Sequence, residues 1–324
     1  GRYVAFASDA SNLAGIDTNN RRDTFVHDRQ TGLTEQISLG LYGSQANGGS
    51  YDPSISADGR YVAFEAGASN LVEGDTNSQR DIFVYDRQID LTRRVSVDSA
   101  GGQADQWSWD PSISADGRYV TFRSEASNLV PDDTNGYSDI FVHDLQSGKT
   151  IRVSVDSTGA EGDHASYLPD ISADGRYVTF SSTASNLTVG DTNDDRDIFV
   201  HDLQTHQTQR VSVGLLGVQG NDNSSHPSIS GDGRYVAFMS DASNLAAGDS
   251  NGDRDIFVYD RQIQQTKRIS VHSSGTQGND NCLEPSNSAS GRHVAFISSP
   301  PHPVHGATNG DLDRILHDPP PRST

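Results

Sequence analysis

Cysteine is almost absent. The lone Cys282 cannot close an internal disulfide, and without a C-x-x-C pair there is neither a thiolate zinc site nor a dithiol redox motif. Long apolar runs are missing as well: no stretch approaches the roughly 18 residues that a membrane-spanning helix needs. No signal-peptide pattern is present, although the chain opens at Gly1 in the middle of a repeat, so any leader would lie upstream. Positive charge is scarce, with 24 Lys and Arg against 44 Asp and Glu and a formal net charge of -20. Such acidity repels phosphates, which argues against nucleic acid or an anionic membrane as partner and favours cations or neutral ligands, Ca²⁺ first among them. Apolar residues make up only 33% of the 324. Composition alone leans toward disorder, and it is periodicity that argues for a fold.

The tripeptide G-R-Y recurs at Gly1, Gly59, Gly117, Gly175 and Gly233, with G-R-H at Gly291, a spacing of 58 residues at every step. A complete unit reads P-S-I-S-A-D-G-R-Y-V-A-F, then S-N-L and a polar loop, then D-T-N-x-x-x-D-I-F-V-Y-D, then T-x-R-V-S-V. Four short β-rich runs separated by Gly, Asp and Asn, with nothing of helical period, are the signature of a propeller blade. In the second repeat the runs are a (Ser54 to Ser56), b (Arg60 to Phe64), c (Asp81 to Asp86) and d (Arg93 to Val97). Ala57-Asp58-Gly59 between a and b signals a tight turn, because Asp and Gly tolerate positive φ. Runs b and c carry large apolar residues on both faces: Val62 and Phe64 against Tyr61, and Ile82 and Val84 against Phe83 and Tyr85. Such a sheet must be covered on both sides, which neighbouring blades do and one repeat alone could not. The expected fold is all-β: a six-bladed β-propeller of four-stranded antiparallel blades. It is one domain over 1-324, with repeats 1-58, 59-116, 117-174, 175-232, 233-290 and 291-324.

Antiparallel pairing of b with c predicts Arg60 opposite Asp86, and likewise Arg2 with Asp28, Arg118 with Asp144, Arg176 with Asp202, Arg234 with Asp260 and Arg292 with Asp318. These are exposed ion pairs that fix register. His27, His143, His201 and His317 share a position on run c with Tyr85 and Tyr259. Separate blades cannot bring them together, so they are assigned to packing and hydrogen bonding. Repeat one lacks run a, and repeat six lacks run d and ends in Pro319, Pro320, Pro321, so the first and last blades are incomplete. Either the chain is a fragment of a longer protein or the open edge is filled by another chain, with self-association as one outcome.

P-S-I-S-A-D-G-R-Y-V-A-F followed by D-I-F-V-Y-D resembles the TolB-type, WD-like propeller repeat over nearly the whole chain. The resemblance implies the propeller fold and leaves function open, since such propellers include periplasmic scaffolds, peptidase-associated domains and some lyases. The S-N-L-V-x-G-D-T-N insert is similar to that of a subgroup of secreted bacterial propellers, which implies a secreted or periplasmic location.

In a four-stranded blade the a-b and c-d links share one face, and the b-c and d-a links share the other. The long b-c insert and the variable d-a loop lie on that second face, where function is expected. In the b-c insert, Asp17, Asn19 and Asp23 recur as Asp75, Asn77, Asp81; Asp133, Asn135, Asp139; Asp191, Asn193, Asp197; and Asp249, Asn251, Asp255. Alternate oxygen-bearing residues suit a hard cation such as Ca²⁺. Asp195 and Asp253 add a middle acid and make the fourth and fifth loops the best candidates, while Ala307 makes the sixth the poorest. The same residues also suit Asx-turns without metal.

In the d-a loops, Trp107, Trp109, Tyr51, Tyr167 and His164 offer faces for stacking on sugar rings or docking a protein, or else fill gaps between blades. At the mouth of the channel the residue before each proline is Asp52, Asp110, Leu168, His226 or Glu284, and Asp170 replaces a serine. Asp110, Asp170, His226 and Glu284 are therefore the candidates for an acid/base pair or a metal site. The expectation is a binding or scaffold propeller with a protein or glycan ligand and calcium-stiffened loops. A polysaccharide lyase or hydrolase, or a structural protein assembling through its open blade, are the alternatives.

Overall fold

The structure is a computed structural model and describes residues 1–298 apart from Ile16 and Ser273, together with the backbone of the strand Asp313–His317. Among the described residues its apolar runs form 22 strands in six antiparallel sheets, divided between two compact units, Gly1–Val153 and Ser154–Thr324. No helix is long and apolar enough to cross a membrane among the described residues.

The first unit holds three blades. Blade 1 contains β1 (Tyr3–Ser8), β2 (Asp23–Asp28) and β3 (Thr34–Gln36); blade 2 contains β4 (Ser50–Ile55), β5 (Tyr61–Ala66), β6 (Asp81–Asp86) and β7 (Leu91–Arg94). Blade 3 contains β8 (Ser108–Ile113), β9 (Tyr119–Ser124), β10 (Asp139–Asp144) and β11 (Lys149–Arg152). In the second unit, blade 4 contains β12 (Ser166–Ile171), β13 (Tyr177–Ser182), β14 (Asp197–Asp202) and β15 (Gln207–Arg210). Blade 5 contains β16 (Ser224–Ile229), β17 (Tyr235–Ser240), β18 (Asp255–Asp260) and β19 (Gln265–Arg268), and blade 6 contains β20 (Cys282–Asn287), β21 (Val294–Ser298) and β22 (Asp313–His317). Strands pair in chain order within every sheet, and among the described residues blades 1 and 6 have three strands rather than four. The architecture is the expected one: all-β, six blades, with the first and last short.

Two local expectations are corrected. Tyr61, not Arg60, stands opposite Asp86. Arg60 still belongs to the turn, where its N–H donates to Asp58 Oδ1 at 2.9 Å, and its side chain reaches back along the strand to Asp86 through Nε–Oδ1 at 2.9 Å and Nη2–Oδ2 at 2.7 Å. The same fork joins Arg2 to Asp28, Arg118 to Asp144, Arg176 to Asp202 and Arg234 to Asp260, while the Arg292–Asp318 pair lies outside the described residues. Its arginine holds the carboxyl of Asp28, and of Asp144, well below the usual carboxylate range. Strand d ends at Arg94 rather than Val97, whose backbone instead makes an isolated bridge to Gln103.

Blades 1 to 5 each stack a phenylalanine pair between b and c, as in Phe64 with Phe83 at 5.9 Å, and in blades 2 to 5 both rings are buried. Blade faces cover one another within each unit: Ala63, Ile82 and Val84 of blade 2 pack with Val120 and Phe122 of blade 3, and Ile198 and Val200 of blade 4 pack with Val236 and Phe238 of blade 5. This burial supplies most of the stabilisation, because no single sheet could hide both of its apolar sides.

Two contacts recur at joints within each unit. The glycine of G-R-Y lies at positive φ beneath the tyrosine of the preceding blade, so that a Cβ on Gly117 would fall 2.1 Å from the Tyr61 ring. The hydroxyls of Thr150 and Thr208 donate to the carbonyls of Val97 and Val155 one blade back, while His143 and His201 on strand c meet those hydroxyls at 2.9 Å. With the threonine proton already committed, the histidine Nδ1–H must be the donor, which leaves Nε2 bare in the neutral ring. The run-c histidines are thus hydrogen-bonded packing residues, as expected, with His317 outside the described side chains.

Candidate functional site

The b-c loops place their acids as the spacing predicts, but strand d supplies a cation that spacing alone does not reveal. Arg94 Nη1 lies 3.2 Å from Asp75 and 3.4 Å from Asp81. Arg152 bridges Asp133 and Asp139 at 3.6 and 3.3 Å, Arg210 bridges Asp191 and Asp197 at 3.2 Å each, and Arg268 bridges Asp249 and Asp255 at 3.2 and 3.3 Å. A guanidinium therefore stands between the carboxylates that the calcium reading gives to a metal. Asn77 and Asn135 donate to Asp81 and Asp139 at 2.9 and 3.1 Å and accept from the backbone two residues on, which is the Asx-turn alternative.

Blade 1 differs. Gln36 takes the arginine's place, Asn19 donates to Asp23 at 3.2 Å, and the Asn19 N–H bonds Asp17 at 3.1 Å. Asp195 and Asp253, the middle acids, are half-buried in their loops, and the Asp253 N–H donates to Asn251 at 3.2 Å. Burial pushes Asp23, Asp81, Asp197 and Asp255 upward, Asp197 to about 6.

The residues before the prolines share an unusual backbone. Asp52, Asp110, Leu168, His226 and Glu284 all have φ between 45° and 54°, each at a one-residue bulge of strand a. The following proline lacks an N–H, which suits an interrupted ladder. Left-handed backbone at non-glycine residues costs on the order of 1–3 kcal/mol and turns these side chains out of the strand's regular alternation.

In the first unit this device assembles an acidic cluster. One carboxylate oxygen each from Asp52, Glu65 and Asp110 lies within 4.8 Å of the others, an arrangement that could hold a metal ion. Glu65 is 2% exposed; it accepts from Arg80 Nη1 at 2.7 Å and from the Asp110 N–H at 3.3 Å. Burial raises its carboxyl to about 7 against the opposing pull of Arg80, with Asp52 adding to the rise. Around the cluster Tyr51 lies under Arg80 at 4.8 Å and Arg22 at 5.5 Å, and Trp109 lies under Arg123 at 4.5 Å. Trp107 packs edge-on against Trp109 at 5.7 Å and is 49% exposed.

Sequence reasoning missed Glu65, Arg80 and Arg123. A signal existed: residue 65 departs from the repeat, its equivalents being Ala7, Arg123, Ser181, Met239 and Ile297. The remaining candidates lie elsewhere, in the second unit. Asp170 is spent on a blade joint, accepting from the Ile171 N–H at 3.0 Å and the Ile229 N–H at 2.9 Å, just as Ser54 accepts from Ile113. Tyr167 lies under Arg196 at 4.4 Å, exposed His164 meets Asp163 at 3.3 Å, and His226 feels the charge of Glu284. Cys282 is fully buried with its thiol pushed up to about 11, which leaves it inert.

No protein-family model matches this chain, and no curated protein matches it. Among solved structures it is similar to the β-propeller domain of the Trilobed protease from Pyrococcus furiosus, at TM-score 0.59 and 10% identity, covering 99% of this chain and 79% of that one. It is also similar to an oligogalacturonate lyase in complex with manganese, at 0.55 and 12%, covering 97% and 73%. TolB from Acinetobacter baumannii matches at 0.50 and 14%, covering 98% of this chain, which spans 63% of that protein's length. At such identities the likeness establishes the β-propeller fold, shared by several distant families, and nothing finer.

Proposed function

We propose that the chain is a binding propeller and that its ligand-receiving surface in the first unit is the patch of Trp107, Trp109 and Tyr51 around Asp52, Glu65 and Asp110. The observation that carries this reading is an exposed tryptophan held edge-on to a second one beside three converging carboxylates. Aromatic faces stack on sugar rings while carboxylates accept from hydroxyls, a combination suited to a neutral glycan. A divalent cation held by the same carboxylates is compatible with it, and the calcium reading of the b-c loops is best kept for Asp133 and Asp139, which converge with Glu161 within 4.8 Å, and for Asp17, Asn19 and Asp23, where Gln36 takes the place of the arginine. A secreted or periplasmic setting belongs to this reading and is supported by the resemblance of the repeat to secreted bacterial propellers.

The test is affinity electrophoresis against a panel of neutral polysaccharides. Retention of the wild type should fall at least tenfold in Trp107→Ala/Trp109→Ala with little change in melting temperature. A protein retained by none of them, or a double variant retained as well as the wild type, would overturn the proposal.

A second reading is favoured by Glu65, a buried carboxyl raised to about 7 beside two further acids, as general acid–base chemistry requires. In this reading the chain is a polysaccharide lyase or hydrolase acting at Asp110 and Glu65. Oligogalacturonate, the substrate named for one structural neighbour, is the first to try. Turnover that Glu65→Gln abolishes without loss of binding would support it, and absence of turnover on acidic and neutral polysaccharides would remove it.

A further inference from the structure

Beside the strand-a bulges of the second unit stands an arginine that makes no ion pair among the described residues. Arginine stands immediately before strand c in blades 1, 2, 4 and 5, and in three of these it is neutralised: Arg22 by Asp9 at 2.5 Å, Arg80 by Glu65 at 2.7 Å and Arg254 by Asp241 at 2.9 Å. Arg196 is the exception. The position of Asp9 and Asp241 is taken by Thr183 in blade 4, and that of Glu65 by Ser181. Among the described residues Arg196 makes no ion pair.

Its location is nevertheless tightly set. The Arg196 N–H donates to Asn223 Oδ1 at 2.9 Å and its carbonyl accepts from the Ser224 N–H at 2.7 Å, which seats it against the entry of β16, two residues from His226. The guanidinium carbon lies over the Tyr167 ring at 4.4 Å, and its Nε is buried without a hydrogen-bond partner.

His226 supplies the second unmet demand. It sits half-buried at a bulge with φ 51°, and its Nδ1 is buried without a hydrogen-bond partner. A buried polar nitrogen left unbonded is costly in a folded chain, and a guanidinium lacking a carboxylate beside it offers a ready partner for an incoming one.

We propose that Arg196 and His226 receive a carboxylate from a ligand, the guanidinium holding both oxygens and the imidazole supplying a further donor. The proposal goes beyond the tryptophan patch of the first unit and does not rest on it. Two sources of the group are chemically open, a sugar acid and the C-terminus of a peptide. Exposed Glu284, whose charge acts on His226 together with those of Arg196 and Arg254, opposes an incoming anion and so limits affinity.

The experiment follows the His226 ring signals by NMR, assigned through their loss in His226→Gln, during titration with D-glucuronate, N-acetyl-dialanine and, as neutral control, D-glucose. At least one of the two carboxylates should raise the titration midpoint of His226 and bind the wild type; which one does so identifies the source. Arg196→Gln should weaken that binding at least tenfold, Arg196→Lys should recover only part of it for want of the fork, and Glu284→Gln should tighten it. The proposal fails if neither carboxylate binds, if glucose binds as well as glucuronate, or if Arg196→Gln or Arg196→Lys binds as tightly as the wild type.

Discussion

Replacing His201 by tyrosine should change how the stability of the protein depends on pH. The ring is 2% exposed, and burial, aided by the nearby His206, lowers its pKa from 6.5 to about 4. The neutral ring is thus the folded form, donating through Nδ1 to Thr208, while the unfolded chain takes up a proton once the pH drops below 6.5. The contribution is complete above that value and is lost as pH falls toward 4. Linkage between the two pKa values gives a loss of about 2 kcal/mol by pH 5 and about 3 kcal/mol by pH 4.

Tyrosine is the natural control. Tyr259 fills the same place in blade 5 at 2% exposure, and Thr266 still donates to the carbonyl of Val213 beneath it. Urea unfolding of wild type and His201→Tyr should be measured between pH 8 and pH 4. The difference between the two curves should be flat above pH 7 and then move in favour of the variant by the amounts given. Parallel curves down to pH 4 would refute the assignment of a neutral, buried imidazole.

Arg210→Gln copies the blade 1 arrangement into blade 4. It should destabilise by about 3 kcal/mol, because Asp191 and Asp197 lose the guanidinium between them, and millimolar Ca²⁺ should restore part of the melting temperature. Destabilisation that Ca²⁺ leaves untouched would count against any cation-holding capacity in these loops. Gly117→Ala should cost about 3 kcal/mol, combining a left-handed backbone with overpacking against Tyr61. In the double variant Tyr61→Ala/Gly117→Ala the overpacking share should disappear, and additive effects in urea unfolding would show that the two residues do not meet.

Much of the blade is legible in the sequence because its determinants are local or repeat at fixed spacing. The Asp-Gly turn, the paired phenylalanines and the Arg60–Asp86 ion pair all follow from one 58-residue pattern. The register slipped by one for a local reason that the pattern does not weigh: the Asp58 carboxylate takes the Arg60 N–H and keeps that residue in the turn. The loop acids were visible, yet the arginine that neutralises them stands on another strand, thirteen residues past the second acid, and reads as part of a ladder. Glu65 shows the remaining limit. Its departure from the repeat can be seen by alignment, whereas its burial and its meeting with Asp52 and Asp110 depend on a bulge in one blade and the edge of the next.

The glycine-under-tyrosine and threonine-to-carbonyl joints use the same atoms one period apart wherever they occur. Duplicating or deleting a whole period would therefore preserve every such partnership, while inserting a fraction of one would sever them. A gene encoding this chain can lengthen in steps of one blade without inventing an interface, provided each added blade keeps the glycine, tyrosine and threonine that these joints use.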